Sequence, residues 1–228
     1  MTGRVTIPNT NLQAMHATPG ADGERAPLLT PAVLVLHAWW GLDDRIESVC
    51  RRLASLGYVA LAPDLYGGQT AATSDEAAAL RDQLDRGQAL WDLGAALSFL
   101  QHGTDTRVGR VGVLGFSLGG SMAWRLAARR PGEIAALVSF YGLAGDVDPG
   151  SLRIRTQGHF ASADELLTAD EVESWRGRLN PTSGAGEFHT YAGTAHGFFE
   201  SPVSGVYAPA AAQQAWDRTL AFLDRTLP

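Results

Sequence analysis

The residues best suited to chemistry stand in Gly115-Phe116-Ser117-Leu118-Gly119-Gly120, directly after the apolar run Arg110-Val111-Gly112-Val113-Leu114. A short β-branched strand that runs into Gly-x-Ser-x-Gly and then into a helical pattern is the signature of a nucleophile elbow. The turn is so tight that residues around the serine need minimal side chains, and the strain lifts the hydroxyl clear of the backbone. A serine displayed in this way attacks carbonyl carbon. In a chain with 26 glycines the pattern alone is weak. Its context strengthens it: a strand before, and a helix from Leu118 to Arg130 after, closing on Arg129-Arg130-Pro131. The competing reading is a glycine-rich turn without chemistry.

A serine hydroxyl needs a base within hydrogen-bond reach. Of the six histidines, His16 and His189 fall inside predicted strands and His102 closes a predicted helix. His37 and His159 lie at or near strand ends, ahead of the place a base should occupy. His196 stands in the small-residue loop Tyr191-Ala192-Gly193-Thr194-Ala195-His196-Gly197-Phe198, and only it fits the chain order nucleophile, acid, base. The acid then falls between Ser117 and His196, just past a strand. Asp164 meets that requirement and would hold the imidazole in the right tautomer; Asp146 and Asp148 are the alternatives, also readable as solvated turn residues before Pro149-Gly150. The oxyanion requires two backbone donors. One is the amide of Leu118. The other comes from His37-Ala38-Trp39-Trp40-Gly41, where Trp39 is our choice and Trp40 the alternative.

These residues must be positioned by a scaffold, and the composition permits one. The chain has 228 residues, is 45% hydrophobic, and carries a net charge of −6 with no basic run, which argues against a nucleic-acid role. It contains no lysine, which excludes a pyridoxal Schiff base, a lysine base beside the serine, and a P-loop lysine. The single cysteine, Cys50, precludes an intramolecular disulfide and sits in a helical pattern as a packed thiol. No His-x-x-x-His metal spacing is present. Without the apolar core of a signal peptide or a membrane span, the chain reads as soluble and cytoplasmic.

Buried parallel strands are expected at Val33–Leu36, Val59–Ala62, Val111–Leu114, Ile134–Phe140, Leu152–Thr156 into Phe160, and Glu187–Tyr191. Helices are expected at Asp43–Leu56, Ser74–Leu84, Gly87–Gln101, Leu118–Arg130, Thr168–Leu179 and Ala210–Thr226, and an antiparallel hairpin over Arg4–Pro8 and Leu12–Thr18. This alternation predicts one α/β domain over residues 1–228, a mostly parallel sheet of about seven or eight strands with helices on both faces. Tyr66–Thr73 reads as a possible rim or lid. Asp64, in Ala62-Pro63-Asp64, reads as a turn carboxylate serving nearby amides rather than as a catalytic acid.

Together, His37-Ala38-Trp39-Trp40-Gly41-Leu42, Ala62-Pro63-Asp64-Leu65-Tyr66, Gly115-Phe116-Ser117-Leu118-Gly119-Gly120, Ala163-Asp164 and Ala195-His196-Gly197-Phe198 resemble the dienelactone hydrolase family, in order, over about residues 30 to 200. The resemblance implies an α/β-hydrolase fold with no large cap domain, and a triad that falls on Ser117, Asp164 and His196. The family nucleophile is usually cysteine, here Ser117; a gating glutamate is usual where this chain has Ala38. Serine forms no resident anion of the kind a thiol can, so the two departures are chemically coherent. The family also holds its substrate carboxylate with two arginines, whose positions match Gly68 and Glu200 here. That exchange disfavours an anionic lactone. The resulting expectation is a serine carboxylesterase acting on small neutral esters through an acyl-enzyme, with no cofactor, as monomer or homodimer. Lactonase, thioesterase or a non-catalytic binding protein are the alternatives. Ala38, Trp40, Gly68, Phe116, Tyr141, Phe198 and Glu200 are the expected substrate contacts.

Overall fold

A computed structural model describes residues 1–20, 30–102, 108–179 and 186–227. The hairpin forms first, from β1 (Thr2–Thr6) and β2 (Gln13–Ala17), paired antiparallel with Thr2 opposite Ala17. Then β3 (Thr30–Leu36), β4 (Val59–Pro63), β5 (Val108–Phe116), β6 (Ala136–Phe140), β7 (Arg155–Ala161) and β8 (Glu187–Tyr191) complete an eight-stranded sheet. Its order is β1-β2-β4-β3-β5-β6-β7-β8, parallel from β4 onward. Among the described residues, no cap domain interrupts it.

The helices are α1 (Asp44–Ser55), α2 (Ser74–Gln83), α3 (Arg86–His102), α4 (Leu118–Arg129), α5 (Ala169–Arg178) and α6 (Pro209–Thr226). Their starts follow from local chemistry. Asp43 accepts from the amides of Arg45 and Ile46 at the head of α1, while Thr73 with Glu76 and Thr168 with Glu171 form capping boxes on α2 and α5. Strand alternation sends Val33 and Val35 into one core with Ile46, Leu53, Trp216 and Phe222. Ala32, Leu34 and Leu36 enter the other, with Leu93, Leu97, Met122 and Trp124. Cys50 is fully buried in the first core, where burial pushes its thiol up to about 12, as suits a packing residue.

β3 and β5 begin three residues earlier than expected, whereas β6 and β7 begin two and three residues later. Residues Pro149–Ser151 form a 3-10 turn capped by Asp148, and β7 begins only at Arg155. Leu152 and Ile154 are buried against the α4 and α5 side instead of the ladder, so their apolar run mimics strand sequence. β6 begins at Ala136 rather than Ile134, after a turn in which Gly132 has φ +82° and Arg130 grips Glu133.

Candidate active site

The carboxyl ends of β3, β5, β6, β7 and β8 converge on one edge of the sheet, and the candidate residues lie there. Ser117 follows β5 directly with φ 50° and ψ −108°, a region that costs a non-glycine residue energy. Its surroundings enforce that conformation. The Ser117 amide donates to the Phe140 carbonyl at 2.9 Å, and its carbonyl accepts from Ser121 at 3.0 Å. A Cβ on Gly115 would collide with the Gly119 carbonyl, and one on Gly119 with the Leu36 carbonyl. Backbone therefore meets backbone on both sides of the elbow, and only glycine fits.

Ser117 Oγ lies 2.8 Å from His196 Nε2, and His196 Nδ1 lies 2.8 Å from Asp164 Oδ2. These bonds agree if Nδ1 carries the ring proton, donating it to the carboxylate while Nε2 accepts from the hydroxyl. The Asp164 side chain is 2% exposed, and its Oδ1 accepts from the amides of Leu166 (2.8 Å) and Leu167 (3.1 Å). The loops carrying acid and base are joined by Ala163 N–H to Thr194 O at 2.9 Å and Gly193 N–H to Ser162 Oγ at 2.9 Å. The alternatives for the acid are engaged elsewhere. Asp146 pairs with Arg125, and Asp148 caps the 3-10 turn and meets Arg178.

Neither the Leu118 amide nor the Trp39 amide has a hydrogen-bond partner among the described residues. Leu118 opens α4, so its N–H also sits at the positive end of a helix dipole. The Trp39 loop is fixed by His37, which is buried and neutral: its Nδ1 donates to Ala38 O at 2.6 Å and its Nε2 accepts from Leu65 N–H at 3.1 Å. His159 is likewise a core histidine, bonded to Tyr191, Gln157 and Thr219, and desolvation holds its pKa well below the usual value. Asp64 accepts from the amides of Tyr66 and Gly68, the turn role expected of it. The Tyr66–Thr73 segment is tied to the Trp39 loop through Ala71 N–H to Trp40 O at 2.9 Å.

Ser117 and His196 open into a cavity of about 370 Å³, lined also by Trp39, Trp40, Glu200, Val203 and Val206. A wider cavity of about 630 Å³ lies elsewhere, against Asp64, Tyr66 and Trp91, and has none of the three residues of the serine–histidine–aspartate array. Of the expected substrate contacts, Trp40 and Glu200 line the smaller cavity and the others do not. Phe116 is fully buried, stacked on Phe199 and tilted against Phe140, and Phe198 packs on Tyr141 and Tyr191. Ala38 is buried in the core, whereas Gly68 is exposed outside the cavity. Tyr141 acts from behind: its ring lies 4.9 Å from that of His196, and its hydroxyl donates to Glu200 Oε1 at 3.0 Å. At φ 39° it is a second non-glycine residue held with positive φ at this edge. Glu200 itself is 5% exposed, and burial pushes its carboxyl up to about 7. Glu165, Val203, Val206 and Ser74 also line the cavity, loop or helix-start residues that no sequence pattern sets apart.

A profile described as the dienelactone hydrolase family matches residues 12–227. A protein of Aquifex pyrophilus named "Protein usf" is 33% identical over 207 residues, covering 86% of this chain and 89% of the relative. A protein of Aquifex aeolicus, provisionally named a carboxymethylenebutenolidase, is 32% identical, covering 84% and 87%. A crystal structure of a protein from Klebsiella pneumoniae, provisionally described as a dienelactone hydrolase, superposes with a TM-score of 0.82 at 28% identity and 98% coverage of both chains.

Proposed function

The chain belongs to the dienelactone hydrolase family, and we propose that within it the protein is a serine carboxylesterase acting on small esters that lack an anionic substituent. The observation that carries this reading is the unbroken array Ser117 Oγ–His196 Nε2 and His196 Nδ1–Asp164, each step at 2.8 Å, with the serine on a strained elbow.

The roles follow from the geometry. Ser117 Oγ attacks the ester carbonyl carbon as His196 Nε2 takes its proton, and Asp164 stabilises the imidazolium. The carbonyl oxygen becomes an oxyanion held by the amides of Leu118 and Trp39. Collapse of this intermediate breaks the bond to the alcohol oxygen, which leaves with the proton from His196. Water then loses a proton to His196 and attacks the acyl-enzyme. The second intermediate releases the acid, and the proton returns to Ser117. No step calls on a residue outside this set. The same reading treats residues 1–228 as one domain and the partner as a small molecule.

The absence of arginine among the described residues lining the cavity, and the presence of Glu200, support esters without a carboxylate. A second reading, lactone opening, is favoured by the butenolidase name of the Aquifex aeolicus relative; it uses the same steps with the leaving alcohol tethered to the acyl group. Treatment with a fluorophosphonate probe, followed by intact mass and peptide mapping, tests the shared premise. Stoichiometric labelling at Ser117 supports an activated serine. A folded but unlabelled protein refutes the esterase reading and favours a binding protein.

A further inference from the structure

The cavity beside Ser117 has an unusual balance of charge. Among its described lining residues there are two carboxylates, Glu165 and Glu200, two indoles, Trp39 and Trp40, and no arginine; the chain has no lysine. Neither carboxylate belongs to an ion pair among the described residues. Of the neighbouring cations, Arg45 pairs with Asp43 and Arg81 with Asp82, while Arg52 lies over the Trp216 ring on a second cavity of about 490 Å³ that Glu200 also borders. Glu200 is 5% exposed, and its hydrogen-bond partner among the described residues is the Tyr141 hydroxyl on Oε1. A buried carboxylate without a counter-charge is costly, and a ligand that brings the missing charge recovers that cost on binding. Indole faces attract ammonium groups as well, and Trp39 already receives one cation, the Arg81 guanidinium at 5.7 Å from its ring centroid.

Resting on the esterase reading, we propose that the cavity takes esters carrying an ammonium group, with Glu200 as the charge partner and the Trp39–Trp40 pair as the aromatic wall. The specificity-determining residue is thus the one standing four positions past His196, and its sign sets the sign of the substrate. Burial brings the Glu200 carboxyl up to about 7, so near neutral pH the site is divided between acid and carboxylate, and an arriving cation draws it to the carboxylate. The charged and titratable groups around Glu200 are Tyr141, Asp43, Arg45, His196 and Glu165, with Asp44, Arg52 and Tyr207 on the second cavity it borders. Asp43 raises its pKa, while the Tyr141 hydrogen bond and Arg45 lower it.

The test uses two acetate esters of equal shape. Acetylcholine carries a trimethylammonium group where its isostere, 3,3-dimethylbutyl acetate, carries a tert-butyl group, so their ratio of kcat/KM isolates the charge. At pH 8 the wild-type protein is expected to favour acetylcholine by about tenfold or more, and Glu200→Gln to bring the ratio close to one. A wild-type ratio at or below one overturns the proposal whatever the variant does. A high ratio that survives Glu200→Gln removes Glu200 as the charge partner. If neither ester is cleaved, calorimetric titration of the full chain with choline against 3,3-dimethylbutan-1-ol decides the matter. Tighter choline binding supports the cation site and counts against the esterase reading alone. Equal or absent choline binding overturns the cation site, and fluorophosphonate labelling of Ser117 reports separately on the esterase reading.

Discussion

Replacing Glu200 by glutamine isolates what it costs to keep a carboxylate buried at this cavity. Burial raises the Glu200 pKa from the ordinary 4.5 to about 7, Asp43 adds to the rise, and the Tyr141 hydrogen bond and Arg45 oppose it. The folded state therefore holds the proton more tightly than the unfolded chain. Stability from this group is fully present below about pH 4.5, is lost as pH rises toward 7, and stays flat above it. The gap between 4.5 and about 7 corresponds to about 3 kcal/mol, of which roughly 1 kcal/mol is already lost at pH 5. Glutamine keeps the shape and an oxygen for the Tyr141 hydroxyl but has nothing to ionise. Urea denaturation of both proteins at pH 5 and pH 8.5 should show the variant gaining on wild type by about 2 to 3 kcal/mol between the two. The buried histidines His37 and His159 titrate in both proteins and cancel in this difference. Parallel pH profiles would refute the reasoning, since they would mean that Glu200 ionises in the folded protein as easily as in water.

Three further outcomes follow from the site. Asp164→Asn should lower kcat by about 10³ to 10⁴, because Oδ1 is committed to the Leu166 and Leu167 amides and the amide group left facing His196 selects the wrong tautomer; steady-state kinetics with an activated acetate ester reads this. Gly119→Ala should destabilise the fold by about 2 kcal/mol or more, since its methyl would strike the Leu36 carbonyl, and thermal unfolding measures it. Tyr141→Phe should raise the Glu200 pKa further by removing the hydrogen bond that lowers it, a change visible in the carboxyl carbon resonance on titration.

Ser117, Asp164 and His196 are legible in the sequence because each obeys a rule that acts locally. Gly115 answers to the Gly119 carbonyl a few residues along the chain, and Asp164 and His196 follow strand ends in the chain order such folds use, although Gly119 is demanded by the Leu36 carbonyl of β3. The strands are legible for a similar reason: buried parallel strands are continuous apolar runs, and β8 over Glu187–Tyr191 matches expectation residue for residue. The substrate contacts are another matter. Phe116 ends a strand and Phe198 stands two residues past His196, yet both rings turn into the core because Phe140, Phe199 and Tyr191 offer them partners that only the closed fold brings near. The burial of Glu200 is hidden in sequence for the same reason. Its burial comes from Tyr141, just past the end of β6, which only the closed fold brings against it. Leu152 and Ile154 mislead in the opposite direction, an apolar run whose burial is supplied by helices rather than by neighbouring strands.

The hydrogen bonds that Ala163, Ser162 and Gly193 make between the Asp164 loop and the His196 loop hold Asp164 and His196 as a single prefabricated unit. Ser117 arrives independently, on the far end of β5, and touches that unit through one bond from Oγ to Nε2. On the proposed esterase reading the nucleophile is thus an exchangeable part: a different atom at its tip would alter the reaction without disturbing the histidine–aspartate pair it plugs into. A scaffold wired in this way can move between serine and cysteine chemistry by changing one side chain and the residues that shield it, which makes the identity of the attacking atom among the easiest features of such a site to alter.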